Sequence, residues 1–176
     1  AASAELARFA AEAAPEGYWR GRRCVELGAG CGLVSGALAR LGARALATDL
    51  EPFLEHLRWN LGLNLPPGEQ ESRCEAFDWD DPASRQRLRE ELGEGGADAV
   101  FAANCIYDQA VVPVFLGALE AIMGPESIAF FCGVPLPPAR SAGETQGESM
   151  LDAFLGQAPR RFDCHFLGAP AAAGAA

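Results

Sequence analysis

The sequence contains no lysine; all 14 of its basic side chains are arginine. Against them stand 24 acids, for a net charge of −10. No segment forms the continuous basic footprint that a phosphate backbone requires, so duplex nucleic acid is not the expected partner. Paired cysteines are missing too. Cys24, Cys31, Cys74, Cys105, Cys132 and Cys164 stand singly, without a Cys-x-x-Cys, and the two histidines, His56 and His165, are isolated. Zinc sites need paired ligand spacing, so no metal is expected. Single thiols in apolar runs behave as small buried hydrophobes. Six of them fit a reducing compartment better than secretion, which makes a cytoplasmic location the expectation and the nucleus the second option. No apolar run approaches the ~18 residues of a membrane span, so no membrane partner is expected. The opening residues do not read as a signal peptide. No internal repeat with a period of about 20–50 residues is visible.

What remains is a globular balance. The 176 residues are 49% hydrophobic and 22% charged, enough apolar material for one core and about one domain. Charge is unevenly spread. Residues 1–48 carry six Arg against four acids, residues 49–81 nine acids against Arg58 and Arg73, and the remainder is again acidic. The run Glu69, Glu71, Glu75, Asp78, Asp80 and Asp81 reads first as a solvated face, and second as a surface that steers a basic protein.

Periodicity gives the order of elements. Leu6, Phe9, Ala10 and Ala13 share one helical face within 4–14, a helix ended by Pro15 and Gly17. Cys24–Leu27 reads as a buried strand, Gly28–Gly32 as a turn, and 33–41 as a helix closed by Gly42. A second strand, 45–48, ends at Asp49; a helix over 52–63 starts at Pro52 and stops at Asn64-Leu65-Pro66-Pro67. Further strands are expected at 72–77, 98–103, 127–132 and 161–167, with helices at 83–92, 110–123 and 149–156. Asp108 and Gln109 are placed to cap the helix that follows them. Residues 135–147 form a Pro/Gly-rich loop, and the low-complexity tail 169–176 is expected to be disordered. Alternating strands and helices imply an α/β fold, a mainly parallel sheet with helices on both faces. Ligands of such sheets lie beyond the strand carboxyl ends, where Gly28–Gly32, Asp49 and Asn104 all fall.

The turn reads Glu26-Leu27-Gly28-Ala29-Gly30-Cys31-Gly32-Leu33. A nicotinamide-dinucleotide loop follows Gly-x-Gly-x-x-Gly, and Leu33 stands where its third glycine belongs. Glu26, two residues before the first glycine, suits a cationic amine better than a pyrophosphate. Asp49, nineteen residues after Gly30, can accept hydrogen bonds from a ribose diol. The ligand implied has an amino-acid end, a ribose and a base, but no phosphate, and S-adenosylmethionine fits that description.

With these residues the sequence resembles the seven-β-strand (class I) protein-lysine methyltransferases that act on non-histone proteins. The matching segments are Val25–Val34, Thr48-Asp49-Leu50, Asn60 and Asn64 before Leu65-Pro66-Pro67, Phe77-Asp78-Trp79 and Ala103-Asn104-Cys105-Ile106-Tyr107. The resemblance spans roughly residues 1–165, and it implies a Rossmann-like fold with a methyltransferase domain over 1–168. It implies that Gly28, Ala29 and Gly30 line the methionine end of the cofactor with Glu26 near its ammonium. Asp49 would hold the ribose, Trp79 and Asp78 the adenine, and Ala103 a further wall. Asn104 and Tyr107 would then face the reacting amine as catalytic residues, and the partner would be a protein with an accessible lysine.

Three departures from the family pattern are visible. Asn104-Cys105-Ile106-Tyr107 stands where the family has Asp-x-x-Tyr. A Gly/Trp segment expected just upstream of Ala1 is absent, and the final antiparallel strand has no candidate, so the chain reads as trimmed at both ends. Two alternatives accompany protein-lysine methylation: methyl transfer to a small molecule, an amide or a nucleobase nitrogen, and a truncated cofactor-binding domain without turnover.

Overall fold

The computed structural model describes residues 2–65, 74–133 and 150–165. Five parallel strands make one sheet in the order β3-β2-β1-β4-β5: β1 (Arg23–Leu27), β2 (Arg44–Asp49), β3 (Cys74–Ala76), β4 (Ala97–Ala103) and β5 (Met123–Cys132). The chain runs outward from β1 to β2 and β3, then returns to lay β4 on the other side of β1. Leu27 at the end of β1 is therefore level with both Thr48 on β2 and Ala102 on β4. The reversal of strand order opens a crevice at that point, between the carboxyl ends of β1 and β4.

Helices cover both faces, as the alternation implied. On one face lie α1 (Ala2–Glu12), α2 (Leu33–Arg40) and α3 (Leu54–Asn64), the last preceded by a short 3-10 turn at Glu51–Phe53. On the other lie α4 (Pro82–Leu92), α5 (Val111–Ile122) and α6 (Met150–Gln157). Strand β4 shows how one apolar run serves two cores. Ala99 and Phe101 pack under α1 and α2, while Val100 and Ala102 pack under α4, α5 and α6. The Trp19 indole N–H donates to the Ala10 carbonyl at 2.6 Å and fixes the end of α1 over the sheet. Helix α4 starts where its sequence directs: Pro82 occupies its first turn and the Asp81 carboxylate accepts from the Ala83 and Ser84 N–H groups.

Two expectations are corrected. β5 begins four residues earlier than expected. Met123 pairs with Ala97, then Gly124–Ser127 loops out before Ile128 pairs with Ala99, with Ser127 Oγ bonded to the Ala97 carbonyl. The expected strand at 161–167 is irregular over 161–165. After a 3-10 turn at Ala158–Arg160, the N–H groups of Arg161 and Phe162 both donate to the Ala158 carbonyl and curl the chain instead of extending it. The first two positions expected for β3, Pro66 and Pro67, the loop 135–147, position 149, positions 166–167 and the tail 169–176 lie outside the described residues. Among the described residues no helix is long and apolar enough to cross a membrane.

Candidate cofactor and active site

The crevice is built from three strand ends. After β1 the chain makes the glycine turn. Gly28 has φ +63° and Gly32 φ +75°, a left-handed backbone that L side chains rarely adopt. Closeness matters as much as dihedral. A Cβ on Gly28 would stand 3.0 Å from Cys105 Cβ and 3.5 Å from the Trp79 ring, so the floor of the crevice must be bare there. A Cβ on Gly32 would stand 2.7 Å from Leu57 and 3.0 Å from Leu61, so this third glycine lets α2 and α3 pack together. Sequence reasoning assigned Gly32 no such task. The signal was the spacing of Leu57 and Leu61, one helical turn apart.

Asp49 ends β2 and faces the turn. Its Oδ2 accepts the Gly30 N–H at 2.8 Å and its Oδ1 accepts the Leu50 N–H at 2.8 Å. Two amides thus orient the carboxylate, and its remaining lone pairs are free in number to accept a diol. The adjoining Thr48 hydroxyl donates to the Glu26 carbonyl at 2.7 Å, tying β2 to β1 at the same level.

Glu26 is 2% exposed, on the face covered by α2. Its Oε2 accepts both the N–H of Ser35 (2.7 Å) and its hydroxyl (2.6 Å), so the carboxylate is held at the first turn of α2. Ser35 was not foreseen as its partner. Burial pushes the Glu26 carboxyl up to about 7, against the opposing pull of the two Ser35 hydrogen bonds.

Past β3, Asp78 is exposed, and its Oδ1 accepts the Asp80 N–H at 3.0 Å. Trp79 is half-buried, its ring edge-on to Phe115 at 5.2 Å and its six-membered ring close to Gly28. Arg85 Nε donates to the Trp79 carbonyl at 2.5 Å and holds this loop to α4. Past β4, Ala103 is half-buried and Asn104 adopts φ +58°, the one left-handed residue that is not glycine among those described. Asparagine tolerates that region better than most side chains. Its N–H donates to the Cys132 carbonyl at 2.8 Å, so the turn away from β4 is anchored to β5. Tyr107 is 69% exposed, and Asp108 accepts the Ala110 N–H just ahead of α5, near the capping role expected of it.

The structure therefore brings Gly28, Trp79 and Cys105 into contact and joins Gly30 to Asp49. The sequence singles Cys105 out only as one of six unpaired thiols. It is half-buried under Gly28, and burial pushes its thiol up to about 12, so it stays protonated at neutral pH. Cys31, on the outside of the turn, lies 3.9 Å from His56 Nε2, which also meets the Asn60 amide at 3.1 Å. Among the described residues no three His, Cys, Asp or Glu side chains converge to hold a metal.

A parallel sheet in this order, with a glycine turn after β1 and an acid ending β2, is a Rossmann-like fold. The chain superposes on a glycopeptide N-methyltransferase solved with S-adenosylmethionine at a TM-score of 0.55, with 18% identity, over 80% of this chain and 57% of that one. An O-methyltransferase family protein from Burkholderia thailandensis gives the same TM-score at 16% identity, over 80% of this chain and 40% of that one. Residues 3–135 match the sequence model of the lysine methyltransferase family, and the chain belongs to that family. Protein N-lysine methyltransferase METTL21A of Danio rerio is 33% identical over 110 residues, 62% of this chain and 48% of that protein. EEF1A lysine methyltransferase 3 of Mus musculus is 31% identical over 112 residues, 64% of this chain and 45% of that protein. The chain thus spans about half the length of these curated relatives.

Proposed function

We propose that the protein transfers a methyl group from S-adenosylmethionine to a lysine side-chain nitrogen of another protein. Family membership supports the reaction. The observation that carries the cofactor is the Asp49 carboxylate, held 2.8 Å from the Gly30 N–H beside the crevice. A fixed acid there favours a sugar diol and opposes a phosphate. The bare floor at Gly28, walled by Trp79 and Cys105, fits a ligand chain that must lie close to backbone.

When bound, the cofactor supplies a methyl group on a positively charged sulfur, activated for in-line displacement. The protein's work is then placement. Gly28, Ala29 and Gly30 would bound the methionine end, and Glu26 would balance its ammonium through the carboxylate oxygen that Ser35 does not hold. Asp49 would accept from the ribose, while Trp79, with Asp78 beside it, would cover the adenine. Ala103 would close the wall from β4. Holding the reacting atoms collinear at near-attack distance is the main source of rate for such a displacement.

The amine must lose its proton first. From a pKa of about 10.4 this costs roughly 4–5 kcal/mol at pH 7, and desolvation against an aromatic wall lowers that figure. Tyr107 would provide the wall and Asn104 an uncharged acceptor that orients the amine. A carboxylate at position 104 would hold the ammonium form; the amide does not. Because the chain has no lysine, its own side chains cannot take the label as methyl-lysine.

The test is to incubate the purified protein with methyl-labelled S-adenosylmethionine and cell lysate, then hydrolyse the labelled protein fraction in acid. Methyl-lysine is the expected product. Label released by the acid as methylamine from a side-chain amide, or confined to nucleobases or small molecules, would overturn the reading.

A further inference from the structure

Helix α3 carries apolar side chains on two opposite sides, and among the described residues only one side is covered. Leu54, Leu57, Leu61 and Leu65 recur at helical spacing and are all buried, packed with Ala29, Ala47 and Cys74. Pro52, His56, Trp59 and Leu63 recur with the same period on the opposite side. There Trp59 is 69% and Leu63 70% exposed, and with Pro52, Glu55, His56, Arg58 and Gly62 they line an open groove of ≈ 730 Å³. Burial of the inner stripe explains the helix. Among the described residues the outer stripe packs against no other element, and an exposed Trp beside an exposed Leu is a costly way to face water.

Two observations say what the groove takes. Its wall is continuous with the cofactor turn, since His56 Nε2 lies 3.9 Å from Cys31 Sγ, two residues past Ala29. A segment lying in the groove is thereby led toward the crevice at the sheet's carboxyl edge. The exposed acids Glu51 and Glu55 flank the stripe and outnumber Arg58, the single cation of α3. We propose that this face of α3 docks a basic, amphipathic segment of the substrate protein, seating its apolar side chains on Trp59 and Leu63 and its cations against Glu51 and Glu55. The proposal rests on the protein-methylating reading above and adds the surface that selects the substrate. Trp is the side chain most often found to dominate an interface, through area buried at little entropic loss.

The test uses a fluorescein-labelled amphipathic helical peptide of leucine and lysine, and its leucine–glutamate counterpart, titrated with the intact protein. Fluorescence anisotropy should show binding of the lysine peptide that weakens with salt, and no binding of the glutamate peptide. In W59A/L63A affinity should fall by about tenfold or more, and in E51Q/E55Q by about threefold. Both variants change exposed side chains, and their melting curves should match the parent. Equal affinity of the lysine peptide for parent and W59A/L63A would overturn the proposal. So would a dimer in light scattering that becomes monomeric in W59A/L63A, which would make a second copy the occupant. Calorimetry with S-adenosylhomocysteine separates the two readings. The docking variants should bind it as the parent does, whereas failure of every form to bind it would remove the methyltransferase reading and leave the peptide result standing on its own.

Discussion

Gly28 and Gly32 share one turn and the same left-handed backbone, yet their substitutions should fail in different ways. Alanine at either position meets the left-handed penalty of about 1–2 kcal/mol. At Gly28 the new methyl stands 3.0 Å from Cys105 Cβ, an atom one bond from the backbone that cannot rotate aside. At Gly32 it meets the branch ends of Leu57 and Leu61, which can shift by a few tenths of an ångström within the α3 core. Overpacking of this kind costs about 1–3 kcal/mol, so each variant should lose about 2–5 kcal/mol. For a chain of this size that is a fall in Tm of about 4–20 °C. Stability alone does not tell the two apart; ligand affinity does. G28A displaces Cys105 and Trp79, the two side chains that border the bare floor, and should weaken S-adenosylhomocysteine by about tenfold or more in calorimetry. G32A disturbs packing behind the turn and should stay within about threefold of the parent. A folded G28A that binds with parental affinity, or a G32A that loses as much as G28A, would refute the assignment of the floor to the cofactor.

Three other perturbations follow from the same geometry. Because the Glu26 carboxyl is raised from 4.5 to about 7 by burial, the folded state holds its proton more tightly. That stability is complete below pH 4.5 and is lost as pH rises to about 7, a change of about 3 kcal/mol. Urea midpoints at pH 5 and pH 8 should therefore drop further in the parent than in E26Q, and parallel curves would contradict the burial argument. D49N keeps one acceptor oxygen but gives up the charge, and calorimetry should show S-adenosylhomocysteine binding weakened by about 10- to 100-fold, the usual worth of a charge-assisted hydrogen bond. N104A places an ordinary side chain at φ +58° and should cost about 1–2 kcal/mol in a thermal melt, while N104D, whose side chain tolerates that region, should melt close to the parent.

Local chemistry was enough to write the element order. Asp81 starts α4 by satisfying its first amides with Pro82 in the first turn, the apolar run of β4 needs two covered faces, and the Glu26–Gly32 turn with Asp49 marks the strand ends where the proposed cofactor site lies. Those features are legible because each depends on neighbours within a turn or on strand period. The strand expected at 161–167 does not form over 161–165, because the Ala158 turn decides the path there and a pairing partner is not encoded locally.

What only the tertiary structure decided was proximity. Strand order set β4 beside β1 across some seventy positions of sequence, and so put Cys105 under Gly28. The fold of α2 onto β1 gave Glu26 its Ser35 partner and its raised proton affinity, a property of burial that no spacing encodes. The outer stripe of α3 was readable as a helix but not as a surface. Which of two apolar sides is covered depends on what packs against it, and that is fixed only when the sheet has formed.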